Sequence, residues 1–140
     1  MDILTYIDYL YIILYIDNLY IGGCTLELDK GLVSGSMALL VLKLLEDGDK
    51  YGYQMIEELK RRSDDTFHLK AGTLYPLLHG LEEKGLVTAY EREAAAGKPR
   101  RYYHLTKEGG AALREKEASW NAYASAVSRV LRGGACCGEA

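Results

Sequence analysis

Lys98, Arg100 and Arg101 crowd a single turn that Gly97 opens and Pro99 interrupts, where long cationic side chains extend into solvent. Such a group binds phosphate through charge-assisted hydrogen bonds. A second group has helical spacing: Gly72, Tyr75, Pro76, His79 and Glu83 fall opposite a stripe of Leu74, Leu77, Leu78 and Leu81. That outward face starts with small, aromatic and imidazole groups and keeps its acid for the far end, so an anion can approach it closely. Metal chemistry has no comparable support. Cys24, Cys136 and Cys137 show no ligand spacing with one another or with His68, His79 and His104, and adjacent Cys136 and Cys137 are badly placed for a mutual disulfide. A glycine-rich phosphate loop, a nucleophile elbow and paired catalytic carboxylates are all missing from the sequence, so no enzyme, metal or cofactor is expected.

Charge distribution sharpens the picture. The 140 residues hold 17 Lys and Arg against 20 Asp and Glu, a net charge of -3 that by itself argues against a polyanionic partner. The excess acid lies in residues 1–29, which have five acids and no Lys or Arg, so the rest carries 17 basic against 15 acidic groups, or +2. Residues 67–107 have seven basic and four acidic residues, +3, and all three His. Only charges within about 10 Å act on a bound phosphate at ordinary salt, so this local balance matters more than the total.

Several elements must position these groups. From Leu32, LVSGSMALLVLKLLEDG predicts a helix apolar around its circumference from Met37 to Leu45, hence central, and stopping at Gly48. YGYQMIEELKRRS predicts a second helix with Tyr53, Ile56 and Leu59 as its stripe. Thr73 reads as the cap of a third helix, which puts Pro76 in a first turn where its missing N–H is harmless. LVTAYERE and RRYYHLT then form a two-stranded hairpin around AAAGKPR. From Thr106 to Leu131 a long helix carries Leu113, Trp120 and Val127 at seven-residue spacing with Tyr123 and Val130 between them, a seam that needs a partner helix. Three helices followed by a hairpin with a basic tip is the order of a winged helix-turn-helix, whose third helix enters the major groove and whose hairpin, the wing, lies along the backbone. The fold class is therefore mainly α with a small β-hairpin, extended by a long C-terminal dimerisation helix.

Three strings, LVSGSMALLVLKLLEDGDKYGYQMIEEL, KAGTLYPLLHGLEEKGLV and GKPRRYYHLTKEG, together resemble the N-terminal domain of PadR-type transcriptional regulators over about residues 29–110. The single last helix is similar to the short subfamily. The resemblance implies a cytoplasmic homodimer that represses by binding a double-stranded DNA operator and leaves it when a small aromatic or phenolic compound binds. It implies DNA contacts from Gly72, Thr73 and Tyr75 on the recognition helix and from Lys98, Arg100 and Arg101 on the wing; Lys70 and His79 join them as a phosphate-reaching and a groove-facing residue. Lys70 departs from the small polar cap common in the family, and Ala94, Ala95 and Ala96 make the wing loop unusually apolar. Tyr102 and Tyr103 match the following strand, where they either pack the hairpin or serve the site. Trp120 matches an aromatic position that faces its symmetry mate, and with Tyr123 it either flanks a flat ligand or packs the dimer. The expected interface comprises Leu113, Trp120, Tyr123, Val127, Val130 and Leu131. A competing reading of the same fold is a protein-protein interaction module without DNA affinity.

The expected organisation is an N-terminal extension of unknown role (1–28), a winged-helix DNA-binding domain (29–106), a dimerisation helix (107–132) and a flexible tail (133–140). The extension is rich in Tyr, Ile and Leu, but its longest apolar run, Tyr9 to Ile16, is far short of the ~20 residues that span a bilayer. Asp8 and Asp17 would each cost roughly 2.5–3.5 kcal/mol near the centre of such a helix, and no positive charge precedes the run, so neither a membrane anchor nor an export signal is expected. Helix and strand are not separable for this stretch, which is read either as lying outside the fold or as an extra element over a dimer surface. Three cysteines without a framework suit a reducing cytoplasm.

Overall fold

The computed structural model describes residues 30–93 and 97–133. The expectations for the N-terminal extension with its Cys24, for the Ala94, Ala95 and Ala96 loop, and for the tail with Cys136 and Cys137 lie outside the described residues. In chain order the elements are α1 (Lys30–Glu46), β1 (Lys50–Tyr51), α2 (Gly52–Arg62), α3 (Ala71–Glu83), β2 (Val87–Glu93), β3 (Pro99–Leu105) and α4 (Lys107–Leu131). The winged helix-turn-helix order is present, and so is the long final helix.

The core is built where α1 meets α2, α3 and the sheet. Met37, Val41, Leu42, Leu44 and Leu45 of α1 are buried together with Met55 and Leu59 of α2 and Leu74, Leu78 and Leu81 of α3. Val87, Tyr103 and Leu113 close it from β2, β3 and α4. On α2 the buried side differs from the predicted stripe: Gly52, Met55 and Leu59 face inward, whereas Tyr53 is 61% exposed. Three-residue spacing alone fitted either set, and packing against α1 selects the one with the smaller residue at the crowded end.

The sheet has three strands, not the two predicted, in the antiparallel order β1-β3-β2. Two residues of β1 are too few to show a period in sequence. Their pairing sets Tyr51, Tyr102 and Tyr90 in one row across the strands, since Tyr51 opposes Tyr102 and Tyr102 opposes Tyr90. Asp49 ties the turn before β1 to this sheet, accepting from the Tyr90 hydroxyl at 2.6 Å and lying 2.7 Å from His104 Nδ1. Burial raises the Asp49 pKa, but these two hydrogen bonds and nearby positive charge outweigh it and hold the carboxyl below its ordinary value.

α4 starts at a side-chain cap. Thr106 Oγ1 accepts from the Gly109 N–H at 2.9 Å and donates toward the Gly85 and Leu86 carbonyls at 2.7 and 3.0 Å. Gly109 is buried there: a Cβ would strike the Leu86 carbonyl oxygen and lie 2.7 Å from Leu105 Cδ1. Leu113, expected in the dimer seam, is fully buried in the protomer's own core, because the first turns of α4 dock beside the sheet and α1. Trp120, Tyr123, Val130 and Leu131 remain exposed, at 46, 57, 76 and 79%. Among the described residues no helix is long and apolar enough to cross a membrane.

Candidate nucleic-acid interface

α3 begins three residues before the expected cap. Lys70, not Thr73, is the cap residue, with extended backbone and a carbonyl that accepts from the N–H groups of Thr73 and Leu74 at 3.0 and 2.9 Å. Pro76 therefore falls within the helix, and the N–H that Gly72 C=O would meet there is missing. Exposed Thr73, Pro76 and His79 line the outer side, and the first turn has no acid. The positive end of the helix dipole is thus left uncancelled on the same surface. His79 Nε2 lies 3.3 Å from Glu83 Oε1, so the imidazole is steered by an acid one turn on.

Tyr75 is not on that outer face. Its ring is half-buried against the core, and its hydroxyl sits directly over Gly52 at the start of α2. A Cβ at Gly52 would collide with that hydroxyl and come within 2.8 Å of Tyr75 Cζ. Burial pushes the Tyr75 hydroxyl's pKa up, as it does for neighbouring Tyr103. The inward surface of α3 is Ala71, Leu74, Tyr75, Leu78 and Leu81, rotated by about one residue from the all-leucine stripe; half-buried Leu77 turns toward a groove instead.

The predicted basic tip divides between two surfaces. Lys98 is exposed just before β3, while Arg100 and Arg101 lie within that strand and so point to opposite sides of it. Arg100 opposes Arg92 across the hairpin, an unfavourable pairing eased by the rings beneath: the Arg100 guanidinium lies 4.5 Å from the Tyr51 centroid and that of Arg92 5.9 Å from Tyr102. Arg101 turns toward α3, where its Nη2 is 3.2 Å from both carboxylate oxygens of Glu82. Partial burial works against its charge, yet Tyr103 and Glu82 together hold its pKa above the ordinary value. Neither Glu82 nor Tyr51 was singled out by sequence, since the contacts that give them a role cross between elements.

A groove of about 820 Å³ runs between α1, α3 and α4, with Leu39, Leu77, Leu81, Lys116, Trp120 and Tyr123 on its walls. Trp120 and Tyr123 have ring centroids 6.4 Å apart and tilted by 42°. Among the described residues no three His, Cys, Asp or Glu side chains gather closely enough to hold a metal ion.

The architecture recurs in solved structures. A PadR family transcriptional regulator from Eggerthella lenta superposes with a TM-score of 0.65 at 36% identity, covering 74% of this chain and 88% of that one. A transcriptional regulator from Clostridium thermocellum gives 0.67 at 27% identity, covering 71% and 97%. In sequence, Transcriptional regulator Rv3488 of Mycobacterium tuberculosis is 36% identical over 80 residues, which is 57% of this chain and 71% of that protein. Residues 41–115, more than half of the chain and including α2, α3 and the wing, match the Transcriptional regulator PadR-like family. The chain belongs to the PadR-like family of transcriptional regulators.

Proposed function

We propose that this DNA-binding regulator works as a homodimeric repressor, placing two copies of α3 in successive major grooves of a palindromic operator and releasing it when a flat aromatic compound enters beside Trp120. The observation that carries the DNA side is the exposed, acid-free start of α3 at Thr73 and Pro76, with Lys70 at its cap, on a protein whose wing presents Lys98 and Arg100. Gly72 and His79 extend the reading face, Gly72 by leaving room for close approach. Tyr75 and Arg101 are withdrawn from it, one by burial and the other by Glu82.

Self-association is supported by α4, whose second half carries exposed Trp120, Tyr123, Val130 and Leu131 beyond anything the rest of the protomer covers. With Val127 half-buried beside them, these residues form the seam, and a two-fold axis there would set reading heads roughly 34 Å apart. A planar aromatic stacked on Trp120 and Tyr123 in the groove would change that separation, giving effector and DNA opposing preferences for the dimer's shape.

Binding to DNA from upstream of the chain's own coding sequence, titrated with salt, tests the first part. Arg100→Ala is expected to lower the slope of log K against log salt by about one, as for one lost phosphate contact, with equal weakening on all sequences. An unchanged slope would remove Arg100 from the interface. Sedimentation combined with quenching of the single tryptophan by planar aromatics tests the rest. A monomer at micromolar concentration overturns the dimer, and a dimer whose Trp120 ignores every such compound leaves the DNA role and withdraws the pocket.

A further inference from the structure

We infer that Arg101 and Glu82 form a brace between wing and recognition helix, so that Arg101 is a positioning residue for DNA rather than a phosphate ligand; this rests on the DNA-binding reading above. Arg101 shares the inner side of β3 with Tyr103, which is 5% exposed, and its guanidinium lies 5.9 Å from that ring's centroid. From this platform Nη2 reaches both oxygens of Glu82 in the last turn of α3. Nearer the other end of α3, Tyr75 is seated against Gly52 of α2. The recognition helix is thus held at two points, one to α2 and one to the wing strand, and the exposed residues Thr73, Pro76 and His79 lie between or beside them.

Wing and recognition helix must meet one duplex at the same time, so the angle between them is part of the binding geometry. A contact that fixes this angle strengthens binding without touching DNA. The brace also accounts for an acid beside an anion-binding surface: on charge alone Glu82 repels phosphate, and its position is useful only if it holds Arg101.

That conflict gives an experiment whose sign decides the matter. DNA binding is measured as a function of salt for the wild-type chain, Glu82→Gln, Arg101→Ala and the swapped pair Glu82→Arg with Arg101→Glu. The brace is expected to make Glu82→Gln bind roughly fivefold more weakly although it removes a negative charge, with Arg101→Ala weakened similarly at an unchanged salt slope. The swapped pair is expected to recover affinity to within about twofold, which neither a phosphate ligand nor a generally destabilised wing would do. Tighter binding by Glu82→Gln, with a slope lowered by about one in Arg101→Ala, would overturn the brace and return Arg101 to phosphate. Should either single variant lose its fold by circular dichroism, the swapped pair alone decides, since failure to recover binding rejects the brace. A wild-type chain that binds no duplex overturns the DNA-binding reading together with the brace, whereas binding by wild type and Arg100-dependent salt release confine any failure to the brace itself.

Discussion

Tyr75 and Glu58 show what single side chains decide. Because Gly52 leaves no room for a Cβ beneath the Tyr75 ring, Gly52→Ala is expected to lower stability by roughly 1–3 kcal/mol through overpacking. Adding Tyr75→Phe should recover only part of that loss, since removal of the hydroxyl leaves Cζ 2.8 Å from the new carbon. Equal stability of Gly52→Ala and wild type in urea melts would mean that the ring moves freely and faces outward after all. Glu58 tests electrostatics instead. Hydrogen bonds from Arg61 and Arg62 hold its carboxyl at about 2, against an ordinary 4.5. A depressed carboxylate contributes stability that is present above about pH 4.5 and is lost as pH falls through about 2. Carboxyl NMR should therefore give Glu58 a midpoint near 2, rising toward the ordinary value in Arg62→Ala; a wild-type midpoint in the ordinary range would show that the paired geometry is not kept in solution. The four leucines of α3 were legible because they share one period, but Tyr75 was not. It sits next to Leu78 and Ala71 on the helix surface, and only the arrival of α2 on that side turns an outward position into an inward one.

Elements were more legible than side-chain roles, and their junctions less so. The periods of α1, α3 and α4 and the turn signals of the hairpin identify these elements from composition and spacing alone, whereas β1 exists only because Lys50 and Tyr51 find Tyr103 and Tyr102 to pair with. The start of α3 was misplaced for a related reason: Thr73 has the chemistry of a cap, yet the backbone turns at Lys70, after buried Leu69 has anchored the incoming chain. At α4 the same rule succeeded, because Thr106 has its N–H partner at Gly109 and also spans to the carbonyls that end the α3-β2 turn. Thr106→Ala is thus expected to cost roughly 1–2 kcal/mol, at the upper end for a cap because two further contacts go with it, while Thr106→Ser keeps most of the stability. Chemical denaturation of the three proteins checks this, and an Ala variant within 0.5 kcal/mol of wild type, inside the usual scatter for surface changes, would reduce Thr106 to a spectator.

At the scale of the whole molecule, what matters is that α4 is longer than the body it packs on. Its 25 residues rise about 38 Å, yet only Gly109 and Leu113, near its start, are buried. An apolar surface that persists after the protomer's own core is complete is covered by association, and the seam's far end is Val130 and Leu131, more than three-quarters exposed. Replacing both by Glu places two charges on each side of the proposed axis, so four like charges would face one another in the dimer. The double variant is expected to sediment as a monomer while keeping its helical signal and melting behaviour at matched low concentration, because neither residue contributes to the core. Its binding to operator should then show about half the wild-type salt slope, since one reading head and one wing release counterions in place of two. If the variant is monomeric but keeps the full slope, each protomer already makes every phosphate contact and dimerisation adds nothing to DNA binding. If it stays dimeric, the association is centred on Trp120 and Tyr123 alone, and the C-terminal turns of α4 project past the interface.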